Sequence, residues 1–152
     1  MSNYIMDLRK LVGHRPLLQV GASVIVEDAE GQILLQLRSD NLCWGYAGGS
    51  VELDEVVEDA AKRELLEETG YVSDEWQYLG ATVESSAKLT NYMHIYFANH
   101  CRKVSGQHLD ATEELDVLVV PLKQAVDMVM NNEICCNSSA HGILKVGRLL
   151  GV

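Results

Sequence analysis

The chain has 152 residues, of which 47% are hydrophobic and 22% are charged, and its formal net charge is −10. This length and composition predict one globular domain over residues 1–152 with a sizeable core. The acidic excess argues against binding to nucleic acid or to anionic membranes, because contacts to phosphate backbones come largely from Lys and Arg. No apolar run approaches the roughly 20 residues that cross a bilayer, and the N-terminus has no apolar secretory core. We therefore expect a cytoplasmic protein, whose four cysteines are reduced thiols.

Hydrophobic periodicity predicts that a helix and then a β-hairpin open the chain. Apolar residues recur at helical spacing over 3–12. Two strands, over 17–27 and 32–38, flank a turn in which Gly31 can supply a positive φ. A loop rich in small residues then leads to Gly49.

A second helix is predicted over 54–69, with Asp54 as its N-cap and Gly70 as its C-terminal stop. Three strands and two helices complete the chain, over 76–84, 92–102 and 115–120, and over 122–131 and 137–150. With further short strands near the glycines, this order predicts an α/β fold in which helices cover both faces of a mixed sheet.

Three glutamates share one face of the second predicted helix. Glu64, Glu67 and Glu68 stand three and four positions apart, and like charges at such spacing destabilise an isolated helix by about 0.2–0.5 kcal/mol per pair. A packed helix that keeps them is expected to hold a cation there, and Mg²⁺ prefers oxygen ligands. The alternative is an acidic, solvated amphipathic helix.

The spacing around these glutamates resembles the box of the Nudix (MutT-type) hydrolase family. Gly49 is followed after five residues by Glu55 and after seven more by Arg63, from which the sequence RELLEETGY runs to Tyr71. The closing Tyr71 stands where an aliphatic residue is usual. In and beside the box, Ala47 and Asp54 stand where the family often has Pro and Gly.

The resemblance implies an α/β/α sandwich, a homodimer and a divalent metal site. The family's metal ligands correspond here to Glu64, Glu67 and Glu68, together with the backbone carbonyl of Gly48. Mg²⁺ is the expected ion, and Mn²⁺ can substitute for it. Arg63 corresponds to the arginine that orients the glutamates, although a surface ion pair with Asp59 is an equal alternative.

The resemblance also implies a general base outside the box, in a loop before the penultimate strand. Glu113 and Glu114 lie at the corresponding place, with Glu113 preferred. Both residues are equally compatible with solvated loop acids that have no role in catalysis.

Four residues are candidates for contacting the substrate. Trp44, Tyr46 and Tyr92 can stack on a base, although aromatic side chains are more often part of a core. Arg38, at the end of its predicted strand, can reach a phosphate or remain solvated.

The predicted activity is metal-dependent hydrolysis of the diphosphate bond in a nucleoside diphosphate linked to another group. The second half of the chain is loosely similar to the ADP-ribose pyrophosphatase branch, which favours ADP-ribose or sugar nucleotides. Mutator-type hydrolysis of nucleoside triphosphates, cleavage of dinucleoside polyphosphates and nucleotide sensing without turnover are the alternatives.

Overall fold

The computed structural model describes residues 4–39, 41–83, 91–109 and 114–152. Over these residues the chain forms helices α1 (Tyr4–Val12), α2 (Val57–Thr69), α3 (Leu122–Met130) and α4 (Asn137–Leu150). The strands are β1 (Val20–Asp28), β2 (Gln32–Arg38), β3 (Trp44–Gly45), β4 (Ala47–Ser50), β5 (Tyr71–Val72), β6 (Glu75–Val83), β7 (Tyr92–Lys103) and β8 (Leu115–Pro121). Within the described ranges, the helices are all too short or too polar to traverse a bilayer.

Strand β1 is the centre of a mixed sheet. It runs parallel to β7 from Val20 onward, whereas its pairings with β2 and β4 are antiparallel. Strand β4 pairs with the beginning of β1 and β2 with its end, so the sheet forks between β4 and β2. Beyond these strands, β2 pairs with β3 and β8, and β7 pairs with β5 and β6. The predicted α/β class with a mixed sheet is confirmed.

Alternate residues of β1 supply the cores on the two faces of the sheet. Val24 and Val26 pack in one buried cluster with Leu65 of α2. Ile25 belongs to a different cluster, which contains Ala125 of α3 and Ile143 of α4. This alternation follows from the two-residue period of a strand, and it places α2 on one face and α3 with α4 on the other.

The start of α2 differs from the sequence prediction. The helix begins at Val57, and Asp54 lies before it with φ 62°, in the left-handed region. A tight turn occupies this place, because Glu55 N–H donates to the Glu52 carbonyl (3.3 Å) and Glu52 N–H donates to Glu55 Oε2 (2.9 Å). The expected N-cap at Asp54 is therefore wrong. The predicted stop at Gly70 is confirmed, since Gly70 has φ 76° and its N–H donates to the Leu66 carbonyl.

The left-handed conformation of Asp54 is one that glycine adopts without the strain of a Cβ atom. We expect Asp54→Gly to raise the free energy of unfolding by up to about 1 kcal/mol, because a left-handed L-residue costs roughly 1–2 kcal/mol and the added chain freedom offsets part of that gain. Denaturant titration measures the change. Asp59→Gly, at an exposed position inside α2, is the matched control and should lose roughly 0.5–1 kcal/mol. Equal losses in the two variants would contradict this account.

Candidate active site

Two glycines in β4 allow close contacts, one with strand β1 and the other with helix α2. A Cβ atom on Gly48 would lie 2.6 Å from the Ser23 Cβ and 2.7 Å from the Ala22 carbonyl oxygen. A Cβ atom on Gly49 would overlap the carboxylate of Glu64. The absence of a side chain at Gly48 therefore lets β4 lie close to β1, and its absence at Gly49 lets the Glu64 carboxylate of α2 lie directly against the backbone of β4.

Glu68 is the most deeply buried carboxylate of this region, with only 4% of its surface exposed. Its Oε2 accepts a hydrogen bond from the Gly48 N–H (2.8 Å) and another from the Gln36 amide nitrogen (3.3 Å). A buried charge requires such partners, because an unsatisfied one costs several kcal/mol. These bonds fix Glu68 between β4 and β2, at the fork of the sheet.

Arg63 connects the remaining carboxylates. Its Nε and Nη2 donate to the two oxygens of Glu55 (2.8 and 3.0 Å), in the bidentate geometry that favours arginine. Nη1 donates to Glu64 Oε1 (2.7 Å) and to Glu67 Oε2 (3.2 Å), and Nη2 also reaches the Ser50 carbonyl (3.0 Å). The arginine thus contacts Glu55, Glu64 and Glu67, rather than forming the Asp59 pair considered from the sequence.

This network shifts the titration of both members of the bidentate pair. The hydrogen bond from Arg63 lowers the pKa of the Glu55 carboxyl below its ordinary value, against the opposing effect of burial. The same bond raises the pKa of the Arg63 guanidinium, which therefore stays charged. Both groups are ionised at neutral pH, as a permanent ion pair.

The donor set around Arg63 has the chemistry of a site for a hard cation. Glu55, Glu64, Glu67 and Glu68 carry four formal negative charges against the single positive charge of Arg63. Carboxylate oxygens are the ligands that Mg²⁺ and Ca²⁺ prefer. In the described part of the chain, no three acidic, imidazole or thiol groups are grouped around one point as ligands. The guanidinium contacts one oxygen of Glu64 and one of Glu67.

A cleft of about 170 Å³ opens at the fork, beside Glu68. It brings together Arg38, Trp44 and Tyr46 from the substrate candidates with Gly48 and Glu68 from the metal candidates. Trp44 and Tyr46 also pack against the buried cluster under α3 and α4. The two aromatic side chains therefore line the cleft and also pack against the core, and their stacking on a base stays a prediction.

Sequence reasoning missed several polar residues of the cleft. Ser23 and Gln36 lie in strands and are almost fully buried, and Ser138 and Ser139 lie in the first turn of α4. The Ser23 hydroxyl is buried without a hydrogen-bond partner among the described residues. One signal was available for Gln36, because it is a polar residue inside the apolar run of strand 32–38.

Tyr92 lies away from the other aromatic candidates. It lines a second hollow of about 220 Å³, together with Gln19, Gly49, Ser50 and Asn91. Met93 borders both this hollow and the cleft. The structure therefore does not place Tyr92 in the cleft that contains Trp44 and Tyr46.

The two candidates for the general base lie at the edge of the described chain. Glu113 is outside the described residues. Glu114 is exposed, and its carbonyl accepts a hydrogen bond from the Ser39 N–H (3.2 Å). Leu115, the next residue, pairs with Arg38 of β2, so the backbone of Glu114 borders the Arg38 end of the cleft.

Comparisons with known proteins agree on one family for this chain. The NUDIX domain family matches residues 17–134. A putative 8-oxo-dGTP diphosphatase of Bacillus subtilis is 36% identical over 124 residues, which cover 80% of this chain and 80% of that protein. A GDP-mannose pyrophosphatase of Klebsiella pneumoniae is 28% identical over 128 residues, which cover 75% of this chain and 64% of the relative.

A solved structure supports the fold. The crystal structure of an ADP compounds hydrolase superposes with a TM-score of 0.76 over 90% of this chain and 75% of its own, at 20% sequence identity. At that identity the likeness establishes the α/β architecture with its mixed sheet.

The Arg63–Glu55 pair predicts a specific pH dependence of stability. Because the folded pKa of Glu55 is lowered, the pair stabilises the protein above the ordinary carboxyl pKa, and this contribution is lost as the pH falls through the lower folded value. We expect Glu55→Gln to lower the free energy of unfolding at pH 7 by about 1–3 kcal/mol. The difference from the parent protein should shrink in acid.

Glu58→Gln is the matched control for this measurement. Glu58 forms an exposed pair with Lys62 on the same helix, and such pairs contribute about 0–1 kcal/mol. Urea titrations of the three proteins from pH 7 down to acid give the comparison. A difference for Glu55→Gln that stayed constant over the whole range would refute the assignment of the ion pair.

Proposed function

The chain belongs to the Nudix family and is a pyrophosphohydrolase of nucleotide-linked diphosphates, and from this premise we propose that it is Mg²⁺-dependent and prefers ADP-ribose or sugar nucleotides. The observation that carries the proposal is the placement of Glu68 on the Gly48 N–H and of Glu64 against Gly49, at the edge of a cleft, with Glu67 joined to Glu64 through Arg63. Nudix hydrolases generally use divalent metal ions, and the oxygen-only donor set agrees with that chemistry.

Glu64, Glu67, Glu68 and the carbonyl of Gly48 are the proposed ligands of Mg²⁺, with Mn²⁺ as a substitute. When bound, the ion screens the charge of the diphosphate and lowers the pKa of a coordinated water. Arg63 is proposed to position Glu64 and Glu67, which it contacts with one nitrogen. This contact with one oxygen of each carboxylate holds the two side chains close to each other.

A carboxylate must accept the proton of the attacking water. We assign this role to Glu113, with Glu114 in reserve, because both lie in the segment that leads into β8. The pairing of β8 with β2 brings the backbone of Glu114 beside Arg38 and Ser39. General bases that act in this way contribute typically 10²–10⁴-fold to a rate.

The cleft is the proposed site of the nucleoside. Trp44 and Tyr46 provide aromatic surface, and Arg38 supplies a positive charge for a phosphate oxygen. The buried hydroxyl of Ser23 offers a hydrogen bond to a ligand that enters. Tyr92 is assigned to the second hollow beyond Gly49, where the group attached to the diphosphate can extend.

Nucleoside triphosphate hydrolysis is the second candidate. It is favoured by the 36% identity to a putative 8-oxo-dGTP diphosphatase. The nucleotide-linked class is favoured by the GDP-mannose pyrophosphatase and by a CMP-5'-(N-acetyl-N-hydroxy-3-aminopropyl)phosphonate hydrolase of Streptomyces rubellomurinus, which is 29% identical over 129 residues. Both classes would use the same carboxylates, so products rather than residues distinguish them.

The proposal includes a cytoplasmic homodimer. Helix α1 buries none of its residues, and Met6 and Leu11 on it are exposed. A second copy of the chain would cover such an apolar surface. Light scattering should give twice the mass of the chain, and the mass of one chain at micromolar concentration would reject the dimer.

Glu67→Gln is expected to lower the metal-dependent kcat by at least about a hundredfold, as is typical when one electrostatic contact to a transition state is lost. The fold should remain, because Glu67 is on the partly exposed side of α2. Glu58→Gln, the same exchange at an exposed position of the same helix, serves as the control and should retain activity. Full activity of Glu67→Gln with an unchanged Mg²⁺ response would exclude the proposed site.

A substrate panel tests the two classes of substrate. ADP-ribose, GDP-mannose, a dinucleoside polyphosphate and 8-oxo-dGTP are each incubated with Mg²⁺ and with Mn²⁺, and the products are identified. A nucleoside monophosphate with a phosphorylated second product supports the nucleotide-linked class, whereas release of pyrophosphate supports the triphosphate class. Binding without turnover throughout the panel would favour a sensor.

A further inference from the structure

Two cysteines far apart in sequence meet at the mouth of the cleft. Their sulfur atoms, Sγ of Cys43 and Sγ of Cys135, lie 3.7 Å apart although 92 positions separate them in the chain. Both are reduced thiols; Cys135 is exposed and Cys43 is partly so. Neither has a role in the proposed hydrolysis.

The two thiols lie in, or directly next to, two separate segments that form walls of the cleft. Cys43 lines the cleft from the segment between β2 and β3, directly before Trp44. Cys135 precedes Cys136 and Ser138, which line the cleft from the start of α4. A covalent bond between the two sulfurs would therefore tie the β2–β3 segment to the beginning of α4.

We propose that Cys43 and Cys135 are a peroxide-sensitive modification site whose disulfide fastens the two walls of the cleft and reduces access of nucleotides. The sulfurs must approach from 3.7 Å to about 2.05 Å. Both residues lie between regular elements, where the backbone can adjust most easily.

The other cysteines are less suited to this pairing. Cys101 is buried, and burial raises the pKa of its thiol to about 11, so it is a poor nucleophile. Cys135 and Cys136 are consecutive, so their Cα atoms stand about 3.8 Å apart, below the roughly 4.4–6.8 Å of ordinary disulfides. For Cys136, burial raises the pKa of the thiol, but hydrogen bonds with Ser138 and Ser139 outweigh this effect and lower it, so this thiol is reactive. Its sulfur contacts the Ser138 hydroxyl oxygen (3.5 Å), whereas the cysteine sulfur that Cys43 contacts is that of Cys135.

Hydrogen peroxide is the oxidant that forms the Cys43–Cys135 disulfide. The thiolate of Cys135 attacks one peroxide oxygen, so that an S–O bond forms, the O–O bond breaks and hydroxide leaves. The thiolate of Cys43 then attacks the sulfenic sulfur, the S–S bond forms and the S–O bond breaks. The two sulfurs together give two electrons to the peroxide, and the two thiol protons complete two molecules of water. A dithiol reductant reverses the oxidation by thiol–disulfide exchange.

The effect on turnover rests on the proposed function of the cleft. We expect that displacement of the cleft walls lowers kcat/KM by about ten- to a hundredfold, because a substrate misplaced by about 1 Å can react about a hundredfold more slowly. Reduction with dithiothreitol should restore the activity. Amide exchange in 41–46 and 136–139 should slow in the oxidised protein, because the bond holds both segments.

The test oxidises the purified full chain with hydrogen peroxide and maps its disulfides by mass spectrometry without reduction. We expect a linked peptide pair containing Cys43 and Cys135, with loss of two hydrogen atoms. Cys135→Ser should abolish this species and keep its activity under peroxide, since Cys135 does not line the cleft. Cys136→Ser should still form the linked pair, and its activity is compared only as the ratio of oxidised to reduced protein.

Other outcomes would overturn the proposal. Disulfides that use Cys136, sulfinic acids alone, or a Cys43–Cys135 bond that changes neither amide exchange nor kcat/KM would each reject it. Failure of the proposed function can be told apart from failure of this proposal. The reduced protein would then lack turnover across the substrate panel, while the disulfide map and amide exchange would still test the Cys43–Cys135 bond.

Discussion

The charge of Arg63 is the condition on which the rest of the site depends. Without a cation, carboxylates gathered at one end of a helix repel one another, and a packed helix cannot relieve this repulsion by moving away. Arg63 offsets this repulsion, because its positive charge donates hydrogen bonds to Glu55, Glu64 and Glu67. The turn before α2 contributes to the same network. It places the Glu55 carboxylate against the Arg63 guanidinium, which is why the helix begins only after this turn.

The absence of two side chains is the complementary constraint. Gly48 and Gly49 let β4 approach both β1 and the carboxylates of α2, and the Gly48 N–H holds the buried Glu68. Gln36 reaches the same carboxylate oxygen from β2. Glu68 thereby lines the cleft and also belongs to the helix that carries Glu64 and Glu67, so the proposed metal ligands and the proposed substrate pocket are adjacent.

The sequence predicted the elements of the fold, because these rest on local periodicity and spacing, whereas the roles of Glu64, Glu67 and Glu68 as metal ligands stay predictions. Strand 32–38 and the ends of α2 and α4 agree with the structure. The left-handed Asp54 could not be predicted, since the turn there depends on Glu52 and Glu55 bonding each other. The separation of Tyr92 from Trp44 and Tyr46 likewise follows from the fork of the sheet, which no local pattern encodes. The assignment of the general base stays a prediction, because Glu113 is outside the described residues.

The fork of the sheet also bears on how such a protein diverges. Most of the acidic groups belong to α2 and its preceding turn, whereas the cleft walls come from the β2–β3 segment and from the first turn of α4. Under the proposed function, mutations in those walls change which nucleotide is bound while the proposed metal ligands stay the same. Substitutions at Ser138, Ser139 or around Trp44 would then alter substrate preference without altering the reaction.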